Sequence, residues 1–149
     1  MKKNLSVNIE ENCIRPGWDQ IWMNFAQSIA NRSCDSKYQV GAVVVNSENT
    51  QVLSIGYNGD QKGGSNKRDS TKTGQSGFIH AEINALIKMD YNNPCKKKMY
   101  LTLSPCDVCA KAIVNAGIEE VIYLELYCHG KNSISILNNA GILVRTYPS

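Results

Sequence analysis

Hydrophobic and polar positions along this chain follow two periods, and the switches between them mark out the elements. From Trp18 the apolar residues Trp18, Ile21, Trp22, Phe25 and Ile29 recur every three or four positions. That spacing predicts an amphipathic helix with this set as its buried face. The runs VGAVVV (40–45) and VLSIGY (52–57) are rich in β-branched residues and joined by the turn-forming NSENTQ, which predicts a β-hairpin. A second helix is expected from near His80, burying Ile83, Leu86 and Ile87. MYLTL (99–103) reads as a strand, followed by a helix with Ser104 as N-cap, Pro105 at the first helical position and Gly117 as the stop. VIYLEL (121–126) is a further strand, NSISILNNAG a short helix ended by Gly141, and ILVRTY (142–147) the last strand.

The resulting order, αββαβαβαβ, places helices between the later strands. Those strands should therefore run parallel, with helices covering both faces of the sheet. We expect one domain over residues 1–149, with no internal repeat, preceded by a loose polar leader at 1–16 that ends in Pro16-Gly17. The segment from 58 to 77 fits neither period. It is rich in Gly, Ser and Lys, and long irregular loops of this kind are usually functional or disordered.

Composition narrows the function classes. An apolar fraction of 42% with 19% charged residues is that of a globular chain. The net charge of +3 suits an anionic small molecule but is too weak for a protein that coats nucleic acid. No apolar run approaches the roughly 20 residues of a membrane span, and MKKNLSVNIEEN lacks the apolar middle of a signal peptide. A cytoplasmic, reducing location is expected, so the six cysteines read as thiols or metal ligands rather than disulfides.

Cys106 and Cys109 form a C-x-x-C directly after Pro105, a spacing shared by redox pairs, structural zinc ribbons and catalytic metal sites. Cys13, Cys34, Cys95 and Cys128 are scattered, without a second C-x-x-C, and have no assigned task. One of the two histidines, His80, stands in HAEINAL two residues before Glu82, whereas His129 lies in a CHGKN loop and reads as a loop residue. Alone, His80 would most simply be a core histidine and Glu82 a solvated helix residue. Together with the cysteines they make H-x-E…P-C-x-x-C, the pattern of zinc-dependent nucleobase deaminases. Two thiolates and an imidazole fill three positions on zinc and leave the fourth for water. Zinc lowers the pKa of that water to about 7, so hydroxide is available to attack a ring carbon bearing an amine. Glu82 would carry protons to the ring nitrogen and then to the departing ammonia.

Over most of its length the chain resembles the deoxycytidylate (dCMP) deaminases of the cytidine-deaminase-like superfamily. The resemblance rests on RS at 32–33, VGAVVVN, GYNG at 56–59, HAEINAL, MYLTLSPCDVCAKAIVNAGIEEVIY and NNAGI. GYNG, then a long loop, then HAE-x-NA sets it apart from the tRNA adenosine and free-base deaminases, which generally lack GYNG. The resemblance implies a three-layer αβα sandwich with a five-stranded mixed sheet, hydrolysing dCMP to dUMP and ammonia by attack at C4. It implies that Asn58 contacts the deoxyribose, that backbone near Thr102 and Ser104 accepts the base amino group, and that Tyr127 packs near ring and phosphate. Ser33 to Lys37 would help bind the phosphate. Many such enzymes are hexamers activated by dCTP and inhibited by dTTP near the GYNG loop, which here would involve Gly63, Gly64, Lys67 and Lys72.

Three other readings stay in view. They are a deaminase of another cytosine nucleotide such as dCTP, a tRNA or single-strand deaminase, and a noncatalytic zinc-stabilised binding module. Nucleic-acid binding is not expected, since aromatic residues make up only 7% and several fall in the presumed core. Some family members hold a second, structural zinc through cysteines or histidines in the long loop, and residues 58–77 contain neither. Metal analysis of the folded protein is therefore expected to return one zinc per chain; two would contradict this ligand set.

Overall fold

The computed structural model describes residues 13–148, so most of the predicted leader, residues 1–12, lies outside the described residues. The elements follow the predicted order: α1 (Trp18–Ala30), β1 (Gly41–Asn46), β2 (Val52–Tyr57), α2 (Ala81–Lys88), β3 (Lys97–Leu103), α3 (Asp107–Asn115), β4 (Ile118–Glu125), α4 (Ser133–Asn139) and β5 (Leu143–Thr146). They build one five-stranded mixed sheet in the order β2-β1-β3-β4-β5. β1 is antiparallel to both β2 and β3, while β3, β4 and β5 are parallel.

β1 explains why its sequence reads as a continuous apolar run. Ala42 and Val44 pack with Ala81, Ala85, Ala110, Ile113 and Leu137 on the side of α2, α3 and α4. Val43 and Val45 pack with Met23, Ala26 and Tyr100 on the side of α1. Every residue of β1 is buried, because both faces of this strand are covered. The three layers are thus α1, the sheet, and the other three helices.

The helices sit differently from their predicted faces. α1 buries Met23, Ala26 and Ala30; Trp22, Phe25 and Ile29 flank that seam, and Trp18 stays 53% exposed, stacked on Trp22. α2 buries Ala81, Glu82 and Ala85, while Ile87 is 70% exposed. The cause is close approach. A Cβ on Gly41 would collide with the Ala26 carbonyl, and one on Gly56 with the Ala81 carbonyl and the Ala85 amide. Helix backbones so near the sheet bring alanines, not large side chains, into the contact. Cover is also uneven: on α1's side Leu143 of β5 stays exposed, since α1 alone serves that face. Among the described residues no helix is long and apolar enough to cross a membrane.

The open corner beside β5 is closed by charge. Arg145 donates to Asp19 at 2.8 Å and to Glu120 at 2.6 Å, and the Tyr100 hydroxyl donates to Asp19 at 2.6 Å. Asp19 so joins α1 to β3 and β5. The Arg145 guanidinium, aided by the Tyr100 hydroxyl, holds the Asp19 carboxyl below its ordinary range. With the folded-state pKa below the unfolded value of about 3.9, the stabilisation is present above that value and is lost as pH falls through the folded one. Asp19→Asn is expected to cost roughly 1 kcal/mol at pH 7. In urea melts between pH 7 and pH 2.5 the gap to the parent protein should narrow as pH drops below about 4.

Candidate functional site

The site starts from the seating of α2 on β2. Around Gly56 the two backbones meet without room for a side chain, the Ser54 hydroxyl donates to the Ala85 carbonyl at 2.5 Å, and the Asn84 amide donates to the Tyr57 carbonyl at 2.9 Å. His80 is the N-cap of α2 with an extended backbone (φ −71°, ψ 155°), and its side chain makes no capping bond. The imidazole is therefore free to turn across to the start of α3.

There the helix begins two residues later than predicted, with Cys106 as N-cap, its sulfur accepting the Cys109 N–H. Ser104 does not cap because its hydroxyl accepts the Tyr127 N–H at 2.7 Å and its own N–H donates to the Glu125 carbonyl at 2.8 Å. Both bonds tie Ser104 to the chain leaving β4. His80 Nδ1 lies 3.5 Å from Cys106 Sγ and 3.3 Å from Cys109 Sγ, and the three donor atoms fall within 4.8 Å of one another. A tetrahedral zinc with bonds of about 2.0 Å to nitrogen and 2.3 Å to sulfur spaces such donors roughly 3.5–3.8 Å apart. The triangle fits.

Electrostatics fit as well. The Cys109 thiol, then the His80 ring, donate to Cys106 against the opposing effect of burial and hold its thiol down at about 4. Sharing that proton with Cys106, together with burial, pushes the Cys109 thiol far up. His80 is raised chiefly by Cys106, with burial opposing. The sulfur pair thus holds one thiolate and one proton, and a bound cation displaces such a proton. Two helix N-termini converge on the same point and favour negative sulfur there. Glu82, only 4% exposed, stands behind His80, and burial pushes its carboxyl up to about 7.

His80, Glu82 and Cys106 open onto a half-open cavity. Of the predicted substrate residues it brings Asn58, Ser104 and Tyr127 to the same walls as His80, Glu82 and Cys106. Others it leaves apart. The Thr102 hydroxyl accepts the Gly41 N–H at 3.0 Å, and Thr102 faces a neighbouring cleft. Lys37 borders that cleft too, its ammonium held by the Thr71 carbonyl and the Thr73 hydroxyl. Ser33 is buried and its hydroxyl accepts the Asp35 N–H at 3.2 Å. Gly63, Gly64, Lys67 and Lys72 are not on the cavity wall, and Gly63 holds a left-handed turn (φ +85°). His129 is exposed and lies edge-on to Tyr127. Three further wall residues are Asp35, from the Ser33–Lys37 stretch expected at the phosphate, Arg68, from the basic 58–77 segment, and Tyr38, which has no counterpart in the sequence reading.

Residues 16–125 match the family described as the cytidine and deoxycytidylate deaminase zinc-binding region. The chain belongs to this family. Human deoxycytidylate deaminase is 34% identical over 142 residues, spanning 87% of this chain and 79% of that one. The deoxycytidylate deaminase of Mycobacterium phage D29 is 32% identical over 124 residues, 73% of this chain and 95% of the phage protein. The fold is likewise that of the family. The crystal structure of dCMP deaminase from cyanophage S-TIM5 in complex with dCMP and dUMP aligns with a TM-score of 0.77 at 28% identity, over 89% of this chain and 98% of that one.

Proposed function

We propose that this deaminase-family chain hydrolyses dCMP to dUMP and ammonia, with one zinc held by His80, Cys106 and Cys109. The observation that carries the reading is the imidazole–thiol triangle with the buried Glu82 carboxyl beside it, in one cavity with Asn58 and Tyr127. The relatives named deoxycytidylate deaminase support the substrate. Zinc in this ligand set supplies Lewis acidity that brings the pKa of a water down to about 7.

The protein's own groups do the rest. Glu82 takes a proton from the attacking water, delivers it to the ring nitrogen N3, and serves the C4 amine as it leaves as ammonia. A carboxyl near neutrality suits both directions of that transfer. A structural zinc site has no use for such a carrier. Tyr127 packs against the base, backbone at Ser104 accepts the amino group, and Asn58 meets the deoxyribose. The stretch from Ser33 to Lys37, joined to Asn58 through Asp35, takes the phosphate end. Regulation by dCTP and dTTP in a homo-hexamer extends the proposal. It is supported by the family resemblance and by the basic, glycine-bearing segment with Gly63, Gly64, Lys67 and Lys72.

A substrate panel of cytosine, deoxycytidine, dCMP, CMP and dCTP is expected to give the highest kcat/KM with dCMP. Glu82→Gln should keep its zinc and lose at least about 10²-fold in kcat, the lower end of what a positioned acid/base contributes. Equal loss of metal and rate would remove Glu82 from the chemistry. For regulation, initial rates at low dCMP should rise with added dCTP and fall with dTTP, and flat responses to both would withdraw that part.

A further inference from the structure

Asn58 is a proposed substrate contact whose hydrogen-bonding capacity can be counted atom by atom. Its Oδ1 accepts the Val40 N–H at 2.9 Å, while Nδ2 donates to the Tyr38 carbonyl at 2.8 Å and to Asp35 Oδ2 at 3.1 Å. These partners determine which end of the carboxamide is which, since a backbone N–H requires the oxygen and a carbonyl and a carboxylate require the nitrogen. Both amide hydrogens are spent. One lone pair on Oδ1 remains, so Asn58 offers the cavity an acceptor and no donor.

What fixes that arrangement lies behind it. The Asp35 side chain is only 2% exposed, and its carboxylate accepts the Lys37 N–H at 2.8 Å as well as the Asn58 amide. Such a buried charge is tolerated because Arg68 Nη1 stands 2.7 and 2.6 Å from the two carboxylate oxygens. Arg68 is itself 9% exposed and also donates to the Ser70 carbonyl at 3.0 Å and the Lys72 carbonyl at 3.3 Å. One guanidinium therefore joins three parts of the wall: the connection between α1 and β1, the end of β2 through Asp35 and Asn58, and the 58–77 segment. A lysine ammonium, being a point charge, cannot reproduce that fork.

We propose that Asp35 and Arg68 are positioning residues for substrate recognition, holding the Asn58 carboxamide so that its free lone pair is presented to the sugar. The inference rests on the dCMP reading above. In dCMP the deoxyribose carries a single free hydroxyl, at the 3′ position, which is the one sugar donor able to meet that lone pair. Without Asp35 the amide keeps its Val40 and Tyr38 bonds but loses the third that fixes it and regains an unpaired N–H beside its lone pair; without Arg68 the Asp35 carboxylate is a buried charge with no counterion and cannot keep its place.

The test compares kcat/KM for dCMP and for its 3′-deoxy analogue, using zinc-loaded protein throughout. The native enzyme should prefer dCMP by about tenfold, the worth of one good hydrogen bond, and Asn58→Ala should abolish the preference. Asp35→Ala and Arg68→Gln should bring it most of the way to the Asn58→Ala value, with Arg68→Lys between. A preference that stays at the native value in Arg68→Gln, with both substrates slowed alike, would make the pair merely structural and overturn the inference. If Arg68→Gln or Asp35→Ala fails to hold zinc or to melt cooperatively, Arg68→Lys decides by the same criterion. A native enzyme with turnover but no preference overturns the sugar contact and this inference with it. A native enzyme inert toward dCMP overturns the substrate reading itself.

Discussion

The seating of α2 on β2 at Gly56 is the constraint on which the imidazole–thiol cluster depends. With no side chain between them, the helix lies close to the strand, and Ser54 and Asn84 hold it along its length. That fixes where the first residue of the helix stands relative to the ends of the strands. β2 and β3 both run antiparallel to β1, so the chain leaves them at the same end of the sheet, and α2 and α3 start from that end. His80 and Cys106 are the N-caps of these two helices, and their donor atoms meet because the sheet carries both helix starts to one point.

The same geometry accounts for the unusual charges. Three polar groups, Glu82 and two thiols, are taken largely out of water at the positive ends of two helices. Burial and helix polarity act in opposite directions there: the first resists charge on Glu82, the second welcomes it on sulfur. A metal would balance the sulfurs, while burial within the protein itself brings the Glu82 carboxyl up to about 7. His80 and Cys106 stand at the N-caps, and Cys109 and Glu82 lie in the first turns of α3 and α2.

Much of this was legible in the sequence, for reasons that differ by element. β1 declares itself because β-branched residues on both faces of a covered strand leave an unbroken apolar run, and β2, at the sheet's edge, shows as the shorter apolar stretch beside the turn that joins them. The imidazole–thiol cluster was legible because two cysteines and a histidine at helix starts are rare in a chain with so few histidines. The buried faces of α1 and α2 were misread because the contacts are alanine on glycine, Ala26 and Ala30 against Gly41, Ala81 and Ala85 against Gly56. Alanine carries little hydrophobic signal, so the larger residues one position away, Phe25 and Ile29 on α1 and Leu86 on α2, drew the assignment. Thr102 was drawn toward the site by its nearness to Ser104. β3 ends at Leu103, however, so the alternation stops before Ser104: the Thr102 side chain stays on the face of Tyr100 with Gly41, and Leu103 shares the cavity wall with Ser104. Asp35 and Arg68 lie 33 positions apart, and no local periodicity connects them.

GYNG has two separate duties within four residues. Its glycine lets α2 lie flush and its asparagine stands on the cavity wall, joined by a strand end too short to flex between them. The imidazole–thiol cluster and the Asn58 side of the cavity wall are for that reason mechanically coupled. An insertion or a bulky substitution in this stretch would displace both at once. Evolutionary retuning of what the enzyme accepts has a freer route through the irregular segment that follows, whose outer turns can change length while the helix starts stay where they are.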